Sequence, residues 1–417
     1  MIIRGKGWSP NAQNVDGLDE DAIEGIGKEL IDFHNNYKEF YHRKGTDQLG
    51  LTYLGGLLSD LPRKSIEPIA LRMSDGKKVR GMQRFMKSYR WDEEGMMSKH
   101  RVMLLEEIGH EEGMITLDSS EFLKKGKESV GVARQYCGSA GKVDSCQSGV
   151  FIGYSSNLGY GLLAHQLYMP EVWFDDEHKE RREFNLVPED LTFMKKTEIA
   201  TKLIHDVMED HEVPGKYVGC DSTFGMDQEF LDSLPEHLYY FASVRSDMQV
   251  FTSTPEVEVP PYSGRGPKPR LPQVTSGHTP VRLSELVESG MNWEPAVLGE
   301  GAKGPILAQL AFKRVQISRN GLPVGDMVWL VVRKNSDGSY KYAISNAPRD
   351  TSHLELAKVS TMRWPIEQCF KDGKSHIGMD QYEHRSWVAW NRHMTMVALG
   401  LHLLLRIRIK FQKKLRA

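Results

Sequence analysis

Three acidic residues stand where strand and helix patterns bring side chains together. Asp118 closes the apolar run GMITLD and Asp221 closes KYVGCD, so each reads as the last residue of a strand. Neighbouring strands end at one edge of a sheet, which gathers the two carboxylates although they lie far apart in the chain. The third acid is Glu367, in RWPIEQCFKDGK. Arg363, Glu367 and Lys374 stand at i, i+4 and i+11, and at roughly 100° per residue all three share one helix face. An acid flanked by two cations suits a site that holds a metal ion and also grips phosphate oxygens. Carboxylates gathered without a cation repel one another, so the set implies divalent ions. Oxygen ligands favour Mg²⁺, with Mn²⁺ as a substitute. Two such ions suit phosphodiester chemistry, one activating water or a 3′-hydroxyl and the other stabilising the leaving oxygen. Taken singly, each signal also has an ordinary reading. A strand-end aspartate forms turns or caps helices, and an Arg–Glu pair four apart is usually a solvated ion pair.

The period of the apolar positions gives the strands and helices that hold these residues. Residues 1–110 read as helices, as in DEDAIEGIGKELIDFHNNYKEFY and VRGMQRFMKSYRW. From Gly113 the period shortens. GMITLD, VDSCQSGVFIGYSS and YGLLAHQLYM read as strands, the last two joined at Asn157-Leu158-Gly159. A helix is expected over Thr192 to Glu212, then the strand KYVGCD, a short helix over Met226 to Leu234, and the strand LYYFASV. That order gives a mixed sheet flanked by helices over 111–245. Residues 255–282 are rich in Pro and Gly, and the strands after them make 246–345 a β-rich insertion, with Asp337-Gly338 a hairpin turn. Helix returns over 346–417.

The chain has 417 residues, 40% hydrophobic and 26% charged, which excludes the disordered, collagen-like and disulfide-scaffold classes. Cys137, Cys146, Cys220 and Cys369 form no CxxC pair, and the N-terminus lacks an apolar signal core, so a cytoplasmic location is expected. The longest apolar run, Met394 to Leu405, is too short to span a bilayer, and no membrane partner is expected. A net charge of −2 excludes a uniformly basic coat but not a local basic groove. Arg265, Lys268, Arg270 and Arg282 lie in a stretch without acids, as do the six basic residues from Arg406 onward. Residues 171–190 are the acidic counterweight.

With these pieces in place the sequence resembles the DDE transposases of bacterial insertion sequences, whose catalytic domain has an RNase H-like fold. The resemblance rests on LTYLGGLLSDLPRKSIEPIAL, on LDSSEFLKKGKESVGVARQYCGSAGKVDSCQSGVFIGY around the first acid, and on GCDSTFG around the second. Around the third, RWPIEQCFKDGKSHIGMDQYEHRSWVAWNRHMTMVALGLHLL holds the Arg-x3-Glu-x6-Lys part of the family's tyrosine–arginine–glutamate–lysine signature. The position of the signature's tyrosine is occupied by Ser360. The resemblance implies an RNase H-like core with a β-strand insertion, and Asp118, Asp221 and Glu367 as the acidic triad holding two metal ions. It also implies DNA phosphate contacts by Arg363 and Lys374, and cut-and-paste transposition with terminal inverted repeats and target DNA as partners. The N-terminal helices would recognise the repeats, and a homodimer on DNA would process two ends. The rival is a catalytically inactive, domesticated DNA-binding protein of the same fold. A metal-free hydrolase with two carboxylates is a second rival, opposed by the cations beside Glu367.

Further candidates are more local. Lys124, Lys125, Lys127 and Arg134 form a phosphate-contacting loop beside Asp118, or a solvated one. Lys268, Arg270 and Arg265 are DNA contacts of the insertion. Trp329 and Trp364 stack on a flipped base, or pack in sheet and helix. His376, His384 and His393 are read as polar surface or DNA-facing groups, Cys220 as core, and Asp175-Asp176-Glu177-His178 as a solvent-facing loop.

Overall fold

Leu49, Tyr53, Leu54 and Leu57 recur at helical spacing, and all four are buried in one helix. The computed structural model describes residues 3–4, 20–43, 45–262, 264, 268, 270–275, 277–301 and 304–416. Arg265 and the side chains of Lys413, Lys414 and Arg416 lie outside the described residues. The chain divides into two compact units, Asn11–Gly215 with Arg363–Ala417, and Met1–Pro10 with Lys216–Met362.

In the unit holding Asn11–Gly215, the helices α1 (Glu20–Asn35), α2 (Thr46–Leu57), α3 (Ile66–Ser74), α4 (Val79–Lys87) and α5 (Glu93–Ile108) come first. The Gly-Gly of LTYLGGLL serves close packing. A Cβ on Gly56 would lie 2.3 Å from Ile69 Cγ2 of α3, so only glycine lets the two helices meet there. Four strands come next, β1 (Met114–Leu123), β2 (Ala133–Cys137), β3 (Lys142–Ser155) and β4 (Tyr160–Tyr168). The long β3 pairs antiparallel with each of the others. Asp118 is therefore a mid-strand residue, opposite Phe151, and not the end of its strand. Ser119 to Leu123 continue the ladder as far as Cys146, because they too alternate between the faces of the sheet.

That alternation puts Asp118, Phe122 and Phe151 on one face. Trp390 of the C-terminal helix (Trp387–Arg416) covers it, with ring centroids 6.5 Å from Phe122 and 6.3 Å from Phe151. Phe370 of the helix Trp364–Asp372 lies 5.2 Å from Phe151 on the same face. Glu121 turns to the other face, where Lys196, first residue of the helix Lys196–Asp210, pairs with it at 3.4 Å. The sheet is thus flanked by helices on both sides.

In the unit holding Lys216–Met362, the strand Tyr217–Cys220 runs parallel to Tyr239–Val244. The sheet then continues antiparallel through Tyr340–Ser345, Leu322–Asn335, Gly304–Arg319 and Glu294–Gly301. Strands of 246–345 thereby extend the pair that precedes and follows Asp221, making one mixed sheet. Gly338, at φ +82°, closes the hairpin expected at Asp337-Gly338, its N–H bonded to the Asn335 carbonyl at 3.0 Å. Cys220 is fully buried, as strand alternation expects. Among the described residues no helix is long and apolar enough to cross a membrane.

His384 and His393 are not the surface groups expected. Both ring nitrogens of His384 are buried, and its ring stacks on Tyr382 at 4.9 Å. His393 accepts or donates with the Tyr53 hydroxyl at 2.9 Å on a fully buried ring. The long apolar C-terminal helix carries His393 inward, against α2. Burial lowers its pKa to about 3, and those of His165 and His34 to about 4. Each folded ring refuses a proton that the unfolded chain takes up near pH 6.5. Stability is therefore full above that pH and falls as the pH drops towards the folded values. The expected loss is on the order of 2 kcal/mol per ring by pH 5, as an upper figure. Urea unfolding at pH 7.5, 6 and 5 checks this. A midpoint that stays level to pH 5 would show that the rings are not held neutral.

Candidate active site

Asp118 is positioned by the β1–β3 ladder, and its Oδ1 accepts the Ser119 N–H at 2.8 Å. Glu367 is positioned by the helix Trp364–Asp372, in whose first turn it lies. A negative charge is favoured there by the helix dipole. Arg363 joins the two acids. Its Nη1 donates to Asp118 Oδ2 at 3.2 Å and its Nη2 to Glu367 Oε1. Arg363 and Asp118 expose only 18% and 15% of their side chains, whereas Glu367 exposes 45%. One guanidinium thus gathers two carboxylates at the edge of solvent, and Arg is the side chain whose planar fork can serve both.

Arg363 and Glu367 keep the i, i+4 helical spacing expected, with Arg363 paired to Glu367. Helix His353–Met362 stops before Arg363, which is the N-cap of the next helix. Pro365, in that helix's first turn, lacks an N–H for the preceding turn and breaks the run. Lys374 falls in a π-turn, Gly373–Ile377, that ends the helix. Its Nζ donates to the Glu121 carbonyl at 3.0 Å and sits 5.3 Å from the Phe122 ring. Burial lowers the Lys374 pKa, opposed by the nearby charges of Asp380 and Glu121. The glutamate helix is thus pinned along β1 at two points, Asp118 and Glu121.

Asp221 follows the strand Tyr217–Cys220 and caps the short helix Ser222–Gly225. Its Oδ1 accepts the Thr223 N–H at 2.9 Å, and its Oδ2 accepts the Thr223 hydroxyl at 3.0 Å. The ordinary reading of a strand-end aspartate is therefore realised, with carboxylate lone pairs remaining for other partners. Among the described residues, no group of three or more His, Cys, Asp and Glu side chains gathers around one metal position. In donor chemistry the acids nevertheless fit Mg²⁺ or Mn²⁺, since Asp118 and Glu367 present hard oxygens within reach of one cationic group.

The remaining candidates separate by exposure. Lys125, Lys127, Arg134, Lys268 and Arg270 are exposed. Lys124 is turned inward, with its ammonium 3.5 Å from the Tyr382 ring centroid and bonded to the Tyr382 carbonyl at 3.3 Å. Burial pushes its pKa down to about 8. Trp329 is 8% exposed and donates its indole N–H to the Pro348 carbonyl at 2.9 Å, which fits the packing alternative. Trp364 is exposed. The Ser360 hydroxyl donates to the Ala357 carbonyl at 2.7 Å within its own helix. The start of the basic tail is held by acids, Arg406 by Glu107 at 2.6 Å and by Glu29 at 3.2 Å. Two groups escaped sequence reasoning. Glu121 stands three residues after Asp118 on the opposite face of β1, a position that strand alternation alone identifies. Lys64, in the PRKS motif, is buried and gives no periodic signal.

A carboxylate set in a sheet is thus drawn through an arginine to a glutamate on the covering helix. The chain matches the DDE superfamily endonuclease family over residues 36–305, more than half its length, and it belongs to that family. The matched segment contains Asp118 and Asp221; Arg363, Glu367 and Lys374 lie beyond it. Comparison with curated proteins gave no match.

Proposed function

We propose that the protein is the cut-and-paste transposase of a bacterial insertion sequence. In this reading Asp118, Asp221 and Glu367 together hold two Mg²⁺ ions, with Mn²⁺ as a substitute. The observation that carries it is the gathering of Asp118 and Glu367 on Arg363, because Glu367 lies outside the matched segment yet is drawn to the first acid. When bound, the ions supply an activated nucleophile and stabilise the leaving oxygen. Arg363 and Lys374 orient the phosphodiester at the element's end, and water attacks it to release a 3′-hydroxyl. That hydroxyl then attacks target DNA at the same site. The helices of residues 1–110 recognise the terminal inverted repeats. Phosphate contacts, including Lys125, Lys127, Arg134, Lys268 and Arg270, supply affinity, while a few base contacts supply specificity. A homodimer on DNA processes both ends, in the bacterial cytoplasm at the nucleoid.

Purified protein is expected to nick DNA carrying the element's ends in Mg²⁺ or Mn²⁺, and to stop in EDTA. Tight end binding without nicking would mark a DNA-binding protein of this fold that has lost catalysis. Full activity in EDTA would mark a metal-free hydrolase and refute the reading.

A further inference from the structure

The motif LSDLPRKSIEPIA contains a lysine whose surroundings the nuclease reading leaves unexplained. Lys64 is 6% exposed, in the loop between α2 and α3. Its ammonium donates to three main-chain carbonyls, those of Leu57 and Ser59 at 2.7 Å each and that of His376. Leu57 is the last residue of α2, and His376 lies in the closing π-turn of the glutamate helix. Carbonyls at helix ends have no partner within the helix, and a cation there is favoured by the dipole. An ammonium has three donors, and here all three are used. One side chain therefore closes two helix ends at once.

Further contacts seat the same loop. The Lys64 N–H donates to Gln381 Oε1 at 2.7 Å. Gly378 follows the π-turn at φ +70°, where a Cβ would stand 2.7 Å from Lys64 Cβ. Glycine is needed there both for the left-handed backbone and for the close approach. Arg63 adds only an exposed pair with Glu383. The π-turn matters because it carries Lys374. Lys374 is the second residue of the turn, and its ammonium donates to the Glu121 carbonyl at 3.0 Å.

We propose that Lys64 is a positioning residue for the Glu367–Lys374 segment: its ammonium, closed by carbonyls from two helix ends, holds the π-turn that sets Lys374 relative to Glu367. The consequence for cleavage rests on the nuclease reading above, whereas the hold on the turn does not. It gives the N-terminal motif a task at the active site without any contact with DNA. It also requires lysine. The planar guanidinium fork of arginine does not converge on three carbonyls as a tetrahedral ammonium does.

Hydrogen exchange with mass spectrometry on the free, full-length protein tests the hold directly. In the wild type, the Gly378 and Met379 amides, which both bond to the Gly373 carbonyl, should exchange as slowly as the β1 amides. In Lys64→Met, exchange across 373–379 should rise about tenfold or more while β1 is unchanged, and Lys64→Arg should behave like Lys64→Met. Single-turnover cleavage at saturating DNA should fall about tenfold in both variants, with end binding changed less than about twofold. Arg63→Ala should leave exchange and cleavage alone. Fast exchange at Gly378 and Met379 in the wild type would overturn the proposal even if Lys64→Met failed to fold. Unchanged exchange in a folded Lys64→Met, or full rescue by arginine, would do the same. If the wild type cuts no DNA, the nuclease reading fails, and the exchange data still decide whether Lys64 holds the turn.

Discussion

Glu367→Gln is expected to lower strand cleavage by about 10³-fold or more while leaving binding to the element's ends within about twofold. The amide keeps the size of the side chain but loses the charge that a divalent ion and Arg363 both require. Its effect on stability should be small. Glu367 is 45% exposed, and an ion pair of that kind contributes at most about 1 kcal/mol. A loss of cleavage with an unchanged melting temperature therefore reports on the site and not on folding. Single-turnover cleavage in Mg²⁺ beside anisotropy titration of end DNA makes the comparison. Normal cutting by the variant would remove Glu367 from the site.

Arg363→Met should behave differently. Here the side chain and its partner Asp118 are largely buried, so removing the cation leaves two carboxylates close together with less compensation. The variant without divalent ions should be less stable than the wild type by about 2 kcal/mol, a partly buried version of a broken ion pair. Added Mg²⁺ should then raise its melting temperature more than it raises that of the wild type, because an ion takes over part of the neutralisation that Arg363 provided. Cleavage should fall about 10²-fold even in saturating Mg²⁺, because the grip on the phosphodiester is lost. Equal Mg²⁺ shifts in the two proteins would mean that the carboxylates beside Arg363 do not bind the ion.

Much of the frame was legible in the sequence because it depends on period. The helix expected over Thr192 to Glu212 is observed at Lys196–Asp210, and Ile199, Leu203, Ile204 and Val207 form its buried side. The hairpin at Asp337-Gly338 needed only its turn residues. What escaped depends on partners distant in the chain. Asp118 looked like a strand end because the polar Ser119 and Ser120 come after it, but the β3 ladder carries the strand on to Leu123. The π-turn at Gly373–Ile377 has no periodic signal of its own. His393 had no sequence partner because its partner, the Tyr53 hydroxyl, comes from α2. Lys64 was invisible for the same reason, since two of its three acceptors belong to α2 and its following loop and the third to the far end of the chain. At the site itself, spacing selected Glu367 and Arg363 correctly as neighbours, and the structure adds Asp118 as the second acid on the same guanidinium.

Cleavage as proposed requires Asp118, Asp221 and Glu367 to ligate the same pair of ions, and affinity cleavage puts that requirement to the test. Fe²⁺ replaces Mg²⁺, and ascorbate with peroxide then generates radicals that cut the main chain beside the bound metal. Fragments from cuts near residues 118, 221 and 367, all suppressed together by excess Mg²⁺, are the predicted result. Cuts near 118 and 367 with none near 221 would contradict it.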